Sequence, residues 1–130
     1  MSKNTVLTRL YCNDNRLKSL DVSNNALLAN LACRSNQLTN LVMGNNTLLT
    51  NLDCRNNQLT NLDVSHNTSL YHLNCANNRF TTFELNALFK TLRLLDDWIY
   101  GMIFIGGNPG TYHCDRNIAW EKGWEFYDTN

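Results

Sequence analysis

The chain has 130 residues, 15.0 kDa, with 11 Lys+Arg against 11 Asp+Glu and a formal net charge of zero. That size suits one domain and leaves no room for a second catalytic one. Neutral charge argues against a nucleic-acid partner, and no apolar run approaches the roughly 20 residues of a membrane helix, so no membrane insertion is expected. Asn occurs 22 times and Leu 21 times, against a single Pro. A polar amide and an aliphatic residue in joint excess point to an internal repeat.

The first elements, from residue 7 onward, carry that repeat. Cys12, Cys33, Cys54 and Cys75 recur every 21 residues. Leu10, Leu31, Leu52 and Leu73 stand two places before them, and Leu7, Leu28, Leu49 and Leu70 three places earlier still. Asn15, Asn36, Asn57 and Asn78 stand three places after each Cys. The second half of each unit repeats the frame more loosely. Leu17, Leu38, Leu59 and Phe80 open it, then Leu20, Leu41, Leu62 and Phe83. Val22, Met43, Val64 and Leu85 follow, with Asn25, Asn46 and Asn67 closing. L-x-L-x-C alternates with the strand period of two, so Leu and Cys point inward. Asn at each strand end can satisfy the backbone groups of a turn and of the next coil. One such unit cannot bury its apolar edge alone, so the coils must stack.

With these motifs the chain resembles bacterial leucine-rich repeat proteins that have a nested half-repeat. The run LTNLDVSHNTSLYHLNCANN is close to units of Bacteroides-type surface proteins. LNALF at 85–89, GGNPG at 106–110 and CDRNIA-x-x-KGW ending at Trp124 are similar to their C-terminal cap. The implied architecture is an α/β repeat, a leucine-rich repeat solenoid of mostly parallel strands, right-handed and of low curvature. Repeats occupy about 7–84 and an α+β cap about 85–130, in one domain. The second strand-like alternation predicts short strands or extended turns on the opposite side.

The cysteine ladder does not read as zinc, whose sites use close pairs, nor as disulfides, since parallel Cβ vectors disfavour bonding between rungs. Reduced, inward-facing thiols are expected. Outward positions carry function in a solenoid, and the candidate face is Tyr11, Arg34, Asp53, Arg55, His72 and Asn74. The competing reading is a solvated sheet on which Arg34, Asp53 and Arg55 pair across rungs.

After residue 85 the rhythm changes. Leu85, Leu88, Phe89, Leu92 and Leu95 have helical spacing and predict a helix over 85–95 that covers the last coil. Residues 102–105 read as a strand, 106–110 as a turn, Asp115 as the N-cap of a helix reaching Lys122 with Gly123 as its stop, and 124–127 as a final strand. His113, Cys114 and Asp115 suggest a protease trio only superficially, because sequence neighbours rarely converge as a triad. The Gly-rich turn lacks the features of a phosphate loop. No metal or cofactor is expected. Trp98, Trp120 and Trp124 all fall in the cap; Trp124 is expected in the core, and Trp98 and Trp120 are expected to pack, with an exposed aromatic contact as the alternative. Nothing before Leu7 looks like a cap or a signal peptide, which suggests a fragment of a longer protein, or an end covered by a partner or by self-association.

These readings predict a non-catalytic module for protein interaction or adhesion. The resemblance implies a bacterial surface, secreted or cell-attached. The alternative is a carbohydrate-binding or carbohydrate-processing solenoid acting on an extended glycan.

Overall fold

Alternating Leu and Cys make strands only where a neighbouring coil supplies the hydrogen bonds, and the 21-residue period does that. The computed structural model describes residues 4–127. Strands β1 (Arg9–Tyr11), β3 (Asn30–Ala32), β5 (Asn51–Asp53) and β6 (His72–Asn74) pair in parallel, with Leu10, Leu31, Leu52 and Leu73 in register. Two cap strands, β7 (Gly101–Phe104) and β8 (Trp124–Phe126), continue the sheet in parallel to six strands, in the order β1-β3-β5-β6-β7-β8. Ile103 pairs with Leu73, so it takes the fifth place in the leucine column. On the opposite side β2 (Ser19–Asp21) pairs with β4 (Asn40–Val42). The chain is a parallel β solenoid of leucine-rich repeat type.

Between the two sides lies one core. Leu28, Leu49 and Leu70, Leu38, Leu59 and Phe80, and Val22 and Val64 are all buried within it. Cys33, Cys54 and Cys75 are buried and Cys12 half-buried, and all four are free thiols. Two of them donate weakly to the next rung, Cys12 to the Ala32 carbonyl and Cys75 to that of Phe104.

The asparagines hold the turns. Asn57 Nδ2 donates to the Cys33 and Cys54 carbonyls, both at 3.0 Å, and its Oδ1 accepts the Leu38 N–H at 2.9 Å. Asn36 and Asn78 repeat this one coil either side. Before these three and Asn15 stand residues of positive φ: Asp14 (56°), Ser35 (54°), Asn56 (55°) and Asn77 (53°). In the cap Gly107 (φ 74°) and Asn108 take the same two places. Asn108 Nδ2 donates to Cys75 O and Ile105 O, and its Oδ1 accepts the Asn78 and Phe80 N–H groups. The Gly-rich turn is thus a fifth rung of the ladder, reached after 30 residues because a helix is inserted.

That helix corrects the predicted boundaries. Helix α1 spans Thr82–Thr91, not 85–95, and ends in an extended Leu92. Its start is a capping box, in which the Thr81 N–H donates to the Glu84 carboxylate at 2.8 Å. T-x-x-E is a helix-start signal that an extended repeat frame conceals. The turn of helix points Phe83 outward, 80% exposed, not inward with Leu20, Leu41 and Leu62. Leu85, Leu88 and Phe89 make the buried face. Residues 61–63 do not form a strand, so the back sheet stops at two, and α1 takes the place of a fourth back rung. The second helix, α2, is also shorter than expected, spanning Asn117–Trp120. Its N-cap is Arg116, not the expected Asp115, whose Oδ1 accepts the Asn117 N–H at 3.1 Å from one residue further back, and Gly123 (φ 85°) lies just past its end.

Candidate functional site

Because the inward places of the main sheet are taken by Leu and Ile, the alternate places face out in rows. One row reads Tyr11, Ala32, Asp53, Asn74 and Phe104; its neighbour reads Arg9, Asn30, Asn51, His72, Met102 and Glu125. Arg34 and Arg55 follow at the turn edge. Strands stand about 4.8 Å apart, which places Tyr11, three strands from Asn74, roughly 14 Å away.

The structure gathers half of the predicted face. Arg34, Arg55 and Asn74 line a single polar depression of about 230 Å³ with Asn56, Ala76 and Asn77. Asp53 adjoins it through Arg55: the Arg55 Nε lies 3.6 Å from Asp53 Oδ2, and Asp53 Oδ1 accepts the Arg55 N–H at 3.3 Å. Both groups are partly exposed, so solvent screening leaves this pair a small stabilisation. Tyr11 stands apart, exposed on the edge strand. Asn74 departs from its expected role as a contact residue. It is only 7% exposed, and its Oδ1 accepts the Ala76 N–H at 3.2 Å, so it shapes the floor of the depression.

His72 is half-buried on the same face, its ring 5.5 Å from that of Phe104. Phe104 in turn lies 5.8 Å from Tyr127. Burial holds the His72 imidazole below its ordinary pKa, against smaller opposing pulls from the Asp53 charge and a backbone hydrogen bond. The His72–Phe104–Tyr127 cluster borders the polar patch and is absent from the sequence reading. Its signal lay in Phe104, flanked by inward Ile103 and Ile105; recognising 101–104 as another rung would have put Phe104 in the Asp53 row.

In the cap, Trp124 is fully buried and donates its Nε1–H to Arg93 O at 3.0 Å. Trp98 and Trp120 do not pack as expected. They are 92% and 54% exposed. Cys114 Sγ donates to Thr111 O, and the Asp115 carboxylate is engaged by the turn that opens α2, so each is bonded within its own segment. Among the described residues no cluster of three His, Cys, Asp or Glu could hold a metal ion, and no helix is long and apolar enough to cross a membrane.

No family model matches the chain, and no curated protein matches it. A solved structure that it resembles is the functional domain of InlJ from Listeria monocytogenes, described as including a cysteine ladder. The two are 27% identical, with a TM-score of 0.32, over 92% of this chain and 39% of that one. A superposition that loose carries no detail of site or partner across. This chain spans well under half the length of that domain.

Proposed function

We propose that the chain is a non-catalytic protein-binding module that reads its partner with the outward face of the main sheet, from β1 to β8. The observation that carries this reading is the adjacency of a charged patch, Arg34, Asp53 and Arg55, to the His72–Phe104–Tyr127 aromatic cluster on one hydrogen-bonded sheet. Arginine and aromatic side chains anchor protein interfaces. A rigid sheet presents them with little ordering cost. The depression is polar and smaller than the roughly 300–1,000 Å³ of small-molecule pockets, which favours a broad partner over a metabolite. Adhesion at a bacterial surface is the setting the repeat resemblance implies.

The carbohydrate alternative divides in two. Glycoside hydrolysis uses two carboxylates at most about 9.5 Å apart. Asp53 on β5 and Glu125 on β8 are three strands apart, roughly 14 Å by strand spacing, and Glu125 accepts the Tyr127 hydroxyl at 2.9 Å. Glycan binding without hydrolysis is served by the same aromatics. The test is capture of a partner by immobilised protein, beside a glycan array. Replacing Tyr11, Arg34 and Arg55 together by Ala, and separately Phe104 by Ala, should abolish capture while circular dichroism stays native. Capture retained by both variants and lost in Trp120→Ala would move the site to the cap. A glycan hit with no protein partner would establish the alternative. A mass that rises with concentration would reveal self-association.

A further inference from the structure

We propose that the cap carries a second docking site, a groove between residues 94–100 and α2 that accepts an arginine or lysine side chain from an apolar segment of a partner protein. The groove encloses about 290 Å³. Its apolar lining is Leu94, Ile99, Tyr100 and Trp120, all exposed, over a buried Leu95. Four exposed apolar side chains gathered among charged groups in one groove fit a contact site. The walls are held in place: Leu95 N–H donates to Lys122 O and Gly101 N–H to Gly123 O, both at 3.0 Å. A fixed backbone lowers the ordering cost of binding to that of the groove's exposed side chains.

Charge selects the occupant. Asp96, Asp97 and Glu121 line the groove, against Lys122 as its single cation. The Lys122 ammonium donates to Lys90 O at 2.6 Å and Leu92 O at 2.8 Å, so it serves the C-terminus of α1. Carboxylates beside indole and phenol rings suit a guanidinium or ammonium, which stacks on the ring face and bonds the acid. The cap already contains such a pair. The Arg116 guanidinium lies 4.7 Å from the centre of the Phe126 ring, and Trp120 meets that ring edge-on at 6.0 Å.

The probe is a blocked hexapeptide with two arginines flanked by leucines, titrated calorimetrically into the whole chain. Controls are the same peptide with citrulline for arginine, the same peptide with serine for leucine, and cellohexaose. The arginine peptide should bind. Citrulline or serine should each weaken it about tenfold, the size of one desolvated cation–ring contact or a few buried methylenes. Salt at about 0.5 M should weaken it several-fold. Trp120→Ala and Glu121→Gln should each weaken it, while the Tyr11, Arg34 and Arg55 triple Ala variant should bind normally. That last arm separates this site from the main-sheet reading. Equal binding of the citrulline peptide, binding of cellohexaose instead, or no binding of the arginine peptide would overturn the proposal. Should Trp120→Ala fail to fold, Glu121→Gln and the citrulline comparison decide alone.

Discussion

A single asparagine amide serves two coils at once. Asn57 supplies hydrogen bonds to carbonyls of its own coil and the preceding one and receives the Leu38 N–H. Leucine would fit the volume but leave the buried Leu38 N–H unpaired and take one of two amide donors from each of Cys33 O and Cys54 O, which keep Asn36 and Asn78. Asn57→Leu is expected to cost about 1–3 kcal/mol, read as a lowered urea midpoint. Asn51→Ala, on a half-buried outward row where its Oδ1 accepts only the Thr50 hydroxyl, should stay within about 0.5 kcal/mol. The thiols give a second residue-scale test. Burial pushes the Cys33 and Cys75 pKa values up to about 12, and that of Cys54 also well up. The unfolded chain loses these protons near its ordinary thiol pKa of about 8.5. Stability is therefore undiminished below that pH and falls as pH rises toward 12, because the unfolded state sheds protons the folded state keeps. The urea midpoint should drop between about pH 8.5 and 11. Thiol titration of the unfolded, unreduced chain should count five free groups. For His72 the sign reverses. Its folded pKa is lowered, so its contribution is present above about pH 6.5 and lost as pH falls. An imidazole NMR titration should give a midpoint below 6.5.

Elements impose demands that single residues do not. Gly110 lies where the fifth turn meets the start of α1. A Cβ there would sit 2.3 Å from both the Thr81 carbonyl carbon and the Thr82 nitrogen. Backbone cannot step aside as a side chain can, so Gly110→Ala should cost about 1–3 kcal/mol or more, measured by denaturant unfolding. Helix α1 and β7 together finish the solenoid. Leu85, Leu88 and Phe89 cover the core, β7 pairs the open edge of β6, and Asn108 satisfies Asn78 and Phe80. Truncation after Asn78 exposes an apolar face and an unpaired strand edge together, and the product should aggregate. A soluble monomer with native circular dichroism would show that the cap is an appendage.

At the scale of the molecule, coils touch only their neighbours, and such stacks can unfold piecemeal. Here repeats and cap share one sheet and one core, which predicts a single transition. All three tryptophans lie in the cap, while most strands lie in the repeats. Tryptophan fluorescence and far-ultraviolet dichroism should therefore give coincident urea curves. A fluorescence transition that precedes the other would mean the cap melts alone.

The sequence by itself determined the repeating parts: period, inward Leu and Cys, turn asparagines, parallel register and the general course of the cap. Each follows from local chemistry repeated at fixed spacing, so every copy restates the same constraint. Tertiary structure decided what depends on which rung is last. Thr82 starts a helix where the repeat frame places a fourth back strand, and residues 61–63 pair with neither neighbour. That Asn108 joins the ladder 30 residues after Asn78, and that Phe104 stands in the Asp53 row, depends on β7 returning to pair with β6. Three of the six predicted face residues share one depression because adjacent strands bring them together, whereas Tyr11 stands at the far edge. Exposure of Trp98 and Trp120 could not be read from residue type, because a large aromatic ring is apolar enough for a core and equally suited to a contact surface. Only the packing of its neighbours settles which.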